Sequence, residues 1–310
     1  MKTLAASSFA KINLGLGVLG KRPDGYHEIR TVLQAIDLAD KIVFREATSL
    51  SLEVQGRYAV PSDESNLVMK AARALADRFP GKGARISLRK SIPPRAGLGG
   101  GSSNAAVTLL GLDRLWGLGA DPGLLLSLAQ GLGMDVPFFL YGGACLALGR
   151  GDEVFPLRER HPWHVVVAWP GVGLSTQEVY EALGPTLTRS RILSSMKRFV
   201  PVLQEAGKAD DSVSPAGSGR RAGQDPPEVT NDLEEIAFQK IPILRHLKES
   251  LISYGAVAAA MSGSGSAVFG LCPSSRGVRE MAAGLGKEAS AVFTCRTLTR
   301  DAYCRKLFQP

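Results

Sequence analysis

The 310-residue sequence predicts an α+β protein of two domains, and three observations carry that expectation. The length exceeds the roughly 100 to 200 residues of a typical single domain. Its first half alternates short β-patterned runs with two helical segments, whereas after about Leu157 the pattern shifts to longer helices between a few strands. A glycine-rich segment, PPRAGLGGGSSNAA from Pro93 to Ala106, leads directly into an apolar helical run from Ala105 to Trp116. The domains are expected to be 1–157 and 158–310.

From Lys11 to Val18 apolar residues alternate strictly. Ile12, Leu14, Leu16 and Val18 fall on one face of a strand, so Lys11 and Asn13 share the other. Further strands are expected over Thr31–Ile36, Lys41–Arg45, Ile86–Ser91, Ala144–Leu148 and Val165–Trp169. Leu67, Ala71, Leu75 and Phe79 recur every four residues after Ser65, which predicts a helix capped by that serine. Asp121 followed by Pro122 is the start signal of a helix carrying Leu124, Leu125, Leu128 and Leu132.

In the second half, helices are expected over Gln177–Leu183, Arg191–Leu203 and Leu233–Tyr254, the last with a reciprocal cap between Asn231 and Glu234. Strands follow near Ala256–Met261 and Ala267–Leu271. Residues 205–228, EAGKADDSVSPAGSGRRAGQDPPE, hold one large apolar side chain, Val213. Such a segment cannot bury enough surface to offset its ordering entropy, so it reads as a mobile insertion.

Composition excludes several classes. Hydrophobic residues make up 45% and charged residues 21%, values of a globular rather than a disordered or fibrous chain. No apolar run reaches the roughly 20 residues needed to cross a bilayer. The start, broken by Lys11 and Asn13, does not read as a signal peptide. Cys145, Cys272, Cys295 and Cys304 lack the spacing of a zinc site or a disulfide framework, which fits a reducing cytoplasm. A net charge of +8 suits RNA, an anionic membrane or phosphorylated small molecules alike. The basic residues are dispersed with few aromatics between them, unlike a single-strand nucleic-acid groove.

The glycine segment is readable as a flexible turn or as an anion cradle. Glycines allow close backbone approach, and the N-terminus of the following helix attracts negative charge. A Walker A loop needs a Lys and a Ser or Thr after its last glycine, and a dinucleotide fingerprint needs glycine where Ser102 stands. Neither is present, so a nicotinamide-dependent oxidoreductase is disfavoured and a phosphate-facing cation must come from elsewhere. A second cluster, MSGSGSAVFG from Met261 to Gly270, offers N–H groups and hydroxyls of the same kind. Lys11 in SFAKINLGL and Asp135 in GMDVPFFL are charged residues in apolar surroundings that would bury them, and buried charges need partners.

Taken in order, SFAKINLGL, PPRAGLGGGSSNAA, GMDVPFFL and MSGSGSAVFG resemble the GHMP kinases over nearly the full chain. RPDGYHEIRTV, from Arg22 to Val32, narrows the resemblance to the branch acting on cytidine diphosphate methylerythritol in the non-mevalonate route to isoprenoid precursors. The resemblance implies an S5-like N-terminal domain, a ferredoxin-like C-terminal domain and an active site in the cleft between them. It implies ATP as co-substrate with Mg²⁺, metal ligands unassigned. Asp135 would orient or deprotonate the acceptor's 2-hydroxyl, with Lys11 paired to it and stabilising charge on that oxygen.

Pro93, Pro94, Arg95, Ala96, Gly97, Leu98, Gly99, Gly100, Gly101, Ser102 and Ser103 would wrap the ATP phosphates, the two serines near the phosphate or the Mg²⁺ shell. Asn66 would lie near adenine and Asn13 beside the Lys11–Asp135 pair. Tyr26 would stack on cytosine, His27 would bond its edge and Tyr180 would take the opposite ring face. The partner is then a small molecule, with no nucleic acid or membrane, and the chain a monomer or weak homodimer in the cytoplasm. The 205–228 insertion is longer and more polar than the family pattern and leaves the motifs intact.

Overall fold

The computed structural model describes residues 2–158, 162–183 and 228–309. The helix expected over Arg191–Leu203, and all but Glu228 of the 205–228 insertion, lie outside them. Two very long strands form the spine: β1 (Thr3–Lys21) and β2 (His27–Ala47) pair antiparallel along nearly their whole length. β2 unites the two strands expected over Thr31–Ile36 and Lys41–Arg45. The acidic residues between them, Asp37 and Asp40, both find hydrogen-bond donors, so the strand is not interrupted. Asp37 accepts the N–H of Arg296 (2.7 Å), and Asp40 is enclosed by donors.

A register shift between Phe9 and Ala10 absorbs the extra residues and bends the ribbon. The two halves of β2 consequently take different neighbours. Residues 41–47 pair with β4 (Gly83–Lys90), which carries β3 (Ser51–Gly56) at the edge, and residues 31–34 pair with β5 (Ala144–Leu148), followed by β6 (Glu153–Pro156).

The helices of the first half form a layer against this sheet and against one another. α1 (Leu67–Ala76) starts where expected, but its cap is Asn66, whose side chain accepts the N–H of Val68 (2.9 Å). Ser65 instead bonds Asp63. α2 (Gly100–Trp116) begins five residues before the apolar run and takes the serines into its first turn. It is buried on most sides, and the missing side chain of Gly111 admits the Phe44 ring. α3 (Pro122–Leu132) has the expected Asp121 cap, and α4 (Val136–Tyr141) follows.

The second sheet is antiparallel, in the order β11-β7-β10-β9: β7 (His164–Trp169), β9 (Ala258–Met261), β10 (Val268–Cys272) and β11 (Ala291–Arg296). With α5 (Thr176–Ala182), α6 (Glu234–Lys240), α7 (Ile243–Ser253) and α8 (Ser275–Leu285) on the connections, this is the ferredoxin-like βαββαβ arrangement that the family resemblance implies. The helix expected over Leu233–Tyr254 is in fact α6 and α7. Pro242 excludes helical backbone at Ile241, which sits at φ −136° and ψ 85°. The reciprocal cap is likewise not formed. Asn231 accepts the N–H of Leu233 (2.9 Å), while Glu234 pairs with Lys248 and accepts the N–H of Met261.

Alternation along β7 binds the halves together. Val166 and Ala168 face Leu244, Leu247 and Met281 of the helices, whereas Val165 and Val167 share a core with Ile12 of β1, Ile92, Ala96 and Leu98. The chain also crosses back. β8 (Thr230–Asn231) adds to β1 in parallel, and the last helix, α9 (Arg300–Leu307), buries Tyr303 and Leu307 in the first core.

Gly142 ends α4 at φ +66°, and a Cβ there would lie 2.2 Å from the Tyr303 ring. Gly142→Ala therefore combines backbone strain with overpacking and is expected to lower the unfolding free energy by about 2–4 kcal/mol. Urea denaturation measures it, and a loss below about 1 kcal/mol would mean that α9 yields without cost.

Candidate active site

The two sheets and their loops enclose a cleft of about 1400 Å³. That exceeds the roughly 300–1,000 Å³ of a single small-molecule pocket and suits two ligands side by side. A smaller depression of about 390 Å³ beside Phe238 and Ile252 holds none of the motif residues.

β1 sets the centre. The Lys11 N–H donates to the Leu98 carbonyl (3.0 Å), which fastens the glycine loop to the strand. Its side chain, 3% exposed, donates to Asn13 Oδ1 (2.6 Å) and lies 3.6 Å from Asp135 Oδ2. Asn13 is oriented in turn, because its Nδ2 donates to Thr31 Oγ1 (2.7 Å) and Thr31 donates to the Gly15 carbonyl (2.8 Å). Burial lowers the Lys11 pKa from its ordinary value, with Asp135 opposing the shift.

Asp135 is not buried, contrary to what its apolar neighbours suggest. It precedes α4 and leaves 38% of its side chain open to the cleft. Helical periodicity turns Val136, Phe138 and Phe139 into the core and leaves Asp135 at the helix start facing outward.

The loop preceding α2 is tightly determined. Arg95 and Gly97 have φ of +52° and +73°, and Gly99 at φ +66° is the N-cap. A Cβ on Gly97 would lie 1.9 Å from the Ser262 carbonyl oxygen, and one on Gly99 would lie 2.8 Å from the Phe139 ring. Pro93, Pro94, Arg95, Gly97, Gly99, Gly100, Gly101 and Ser102 line the cleft. The first-turn N–H groups of α2 have no intrahelical acceptor and suit an anion.

Ala96 and Leu98 are 1% exposed, so they contribute backbone while their side chains pack inward. Ser103 corrects the expectation. It is fully buried, and its hydroxyl accepts from Ser8 (2.7 Å) beneath the loop rather than facing a phosphate. Asn66 caps α1 and donates to the Pro61 carbonyl (2.6 Å), so its amide is engaged, while the adjacent Leu67 lines the cleft.

The second glycine cluster closes the opposite wall with Gly263, Ser264 and Gly265. Asn231 holds it by donating to the carbonyls of Met261 (2.8 Å) and Gly263 (2.7 Å).

At the other end, Tyr26 is 48% exposed, with the Arg150 guanidinium 5.2 Å above its ring and Asp152 holding that arginine (2.5 Å). His27 and Tyr180 lie against each other, ring centroids 5.0 Å apart, tilted 34°. Tyr180 therefore packs on His27 before any ligand arrives. Burial raises the Tyr180 hydroxyl pKa, and the Asp135 charge raises it further.

The sequence reading passed over Lys21, Thr31, Lys90 and Arg150, which all line this cleft. Only Thr31 carried a usable signal, since it lies in the RPDGYHEIRTV stretch. The other three are brought in by strand pairing and turn geometry.

The family model of the GHMP kinases N terminal domain matches residues 66–143, and that of the GHMP kinases C terminal domain matches residues 212–291. The chain belongs to the GHMP kinases. Within them it belongs with the 4-diphosphocytidyl-2-C-methyl-D-erythritol kinases. It is 40% identical over 299 residues to that enzyme of Geobacillus kaustophilus, covering 95% of this chain and 97% of the relative. It is 41% identical over 269 residues to that of Caldanaerobacter subterraneus subsp. tengcongensis, with 86% and 88% covered. A crystal structure of 4-(cytidine 5'-diphospho)-2C-methyl-D-erythritol kinase matches at 36% identity with a TM-score of 0.72, covering 95% of this chain and 99% of that one. A homoserine kinase from Cytophaga hutchinsonii, 16% identical with a TM-score of 0.69 over 96% of this chain and 95% of that one, shares the fold.

Burial, reinforced by the Lys21 ammonium, lowers the His27 pKa below the ordinary 6.5. The unfolded chain then takes up this proton first as pH falls, so the His27 contribution to stability is lost as pH drops through 6.5 toward the folded value. In an NMR titration the ring should titrate below 6.5, and Lys21→Ala should raise the midpoint only part of the way, since burial is the larger cause.

Proposed function

We propose that this chain transfers the γ-phosphate of ATP to the 2-hydroxyl of 4-diphosphocytidyl-2-C-methyl-D-erythritol, giving the 2-phosphate and ADP. The observation that carries this reading is the Lys11–Asp135 pair, which opens into the same cleft as the N-terminus of α2. A bond forms between the acceptor oxygen and phosphorus as the bond to the leaving ADP oxygen breaks, and the hydroxyl proton passes to or is aligned by Asp135. Lys11, with Asn13 fixing its direction, offers a desolvated positive charge where negative charge develops on the acceptor oxygen. Positioning and electrostatics account for most catalysis of this kind.

The loop from Pro93 to Ser102 holds the nucleotide phosphates through backbone N–H groups, and Gly263 to Gly265 meet them from the other sheet. Mg²⁺ neutralises phosphate charge when bound. The Ser102 hydroxyl, a hard oxygen donor on the cleft wall, would hold an ion that takes its other ligands from phosphates and water. Tyr26 supplies an exposed ring for cytosine, and His27, backed by Tyr180, meets the base edge.

Asp135→Ala is expected to reduce kcat by about 10²–10⁴-fold while the Kd for ATP stays within about twofold. Unchanged turnover would remove Asp135 from the chemistry. Tyr26→Ala should raise the acceptor KM in line with the loss of roughly 1–3 kcal/mol of base stacking, with the KM for ATP unmoved. The substrate assignment itself is tested by ATP turnover with the cytidine diphosphate alcohol beside mevalonate, homoserine and galactose. Turnover confined to the latter three would overturn it.

A further inference from the structure

The glycine loop carries no lysine, yet both of its flanks converge on one buried carboxylate. Asp40 of β2 is 0% exposed. Its Oδ1 accepts the N–H groups of Ser91 (2.6 Å) and Ile92 (2.8 Å), where the chain leaves β4 for the loop. Its Oδ2 accepts Nδ2 of Asn104 (2.9 Å), in α2 just beyond the loop, and the Nζ of Lys90. Four donors fill the lone-pair sites of an ionised carboxylate. The network continues from Asn104 to Ser8 Oγ (2.8 Å) and from Ser8 to Ser103 (2.7 Å). Residues on either side of the loop are thus tied to two side chains of the β1–β2 spine.

Lys90 connects this network to the cleft. It lines the wall, and a methyl group added at Gly100 would lie 2.9 Å from its Nζ. A buried ammonium beside the positive end of α2 is unfavourable on its own. Burial lowers its pKa and Asp40 opposes that shift. Geometry and charge agree: Asp40 is where the loop's two ends and the Lys90 ammonium are held together.

We propose that Asp40 is the positioning residue of the ATP loop, fixing both flanks of that loop to β2 and holding the Lys90 ammonium at the cleft wall beside Gly100. It touches no substrate and acts through the backbone it fixes. The proposal rests on the reading of this loop as the nucleotide site. A carboxylate that merely completed a core ion pair would affect stability and leave the two ligands' affinities in proportion.

Two variants separate these roles. Lys90→Met leaves Asp40 with the Ser91, Ile92 and Asn104 donors. Adding Asp40→Asn removes the carboxylate without stranding a buried cation, which Asp40→Asn alone would do. Calorimetry with a non-hydrolysable ATP analogue is expected to show binding at least about tenfold weaker in the double variant than in Lys90→Met, because a small displacement of a binding loop is costly. The acceptor KM should differ by less than about twofold between them, since Tyr26 and His27 lie at the turn where β2 begins, away from the loop flanks that Asp40 holds.

Equal analogue affinity in the two folded variants overturns the proposal, as does a parallel change in both ligands. Where the double variant does not fold, Asn104→Ala keeps the ion pair and releases only the α2 flank. Weaker analogue binding in that variant supports the proposal and unchanged binding overturns it. Calorimetry needs no turnover, so the two readings fail separately. A wild-type chain that does not bind the analogue sinks the kinase reading, whereas a wild-type chain that binds it with no difference among variants sinks the role of Asp40 alone.

Discussion

The active cleft exists because two glycine segments from different sheets touch each other. Ser262 donates to the Gly97 carbonyl (2.8 Å), and the Ala267 N–H donates to the Ala96 carbonyl (3.0 Å). Ser262 also lies 3.4 Å from Asn13 Oδ1, so this contact reaches the Lys11 site directly. Any side chain at Gly97 would strike the Ser262 carbonyl at 1.9 Å and separate the sheets. The glycines therefore serve a structural need before a ligand binds. They let two backbones close to hydrogen-bonding distance, and the cleft is the space left beside that junction.

Two lysine–aspartate pairs flank the junction, and their difference is instructive. Lys90 and Asp40 are both buried, at 3% and 0% exposure, and Asp40 has further donors on both oxygens. Such a pair cannot rearrange without leaving a buried charge uncompensated. Lys11 is equally buried, but Asp135 stands 3.6 Å away with 38% of its side chain in the cleft. That carboxylate can turn toward a hydroxyl at small cost. Burial lowers both lysines' pKa values, so charge type does not distinguish the pairs. Openness does, and it makes one pair a support and the other a candidate for chemistry.

Much of this was legible in the sequence because it follows short periodicities. Alternation along β1 placed Lys11 and Asn13 on one face, and a hydrogen bond of 2.6 Å joins them. The Asp121 cap and the helix after the glycine loop were equally local. Tertiary compensation hid the rest. Two strands are expected on either side of residues 37–40, but Asp37 and Asp40 find partners on distant segments and the strand runs through. The family pattern puts both serines beside the phosphate; α2 starts at Gly100, which turns Ser103 beneath the loop and leaves Ser102 at the cleft. Lys90 ends a strand three residues before the loop and shows in sequence neither its burial nor its carboxylate.

The two ends of the cleft are built to different tolerances, and this matches what each must do. Lys11, Asn13 and the loop flanks sit on β1, at the end of β4 and on α2, whose side chains are mostly buried. Phosphoryl transfer depends on sub-ångström placement, so it belongs on elements that packing holds in a single arrangement. Tyr26 lies in the turn between β1 and β2, 48% exposed, and Arg150 covers it from another turn. A stacked base needs an aromatic face and accepts some adjustment of angle. On the proposed assignment, a base-stacking Tyr26 on a turn and reacting groups on the spine let the acceptor end adapt to its ligand without disturbing the distance between hydroxyl and phosphate.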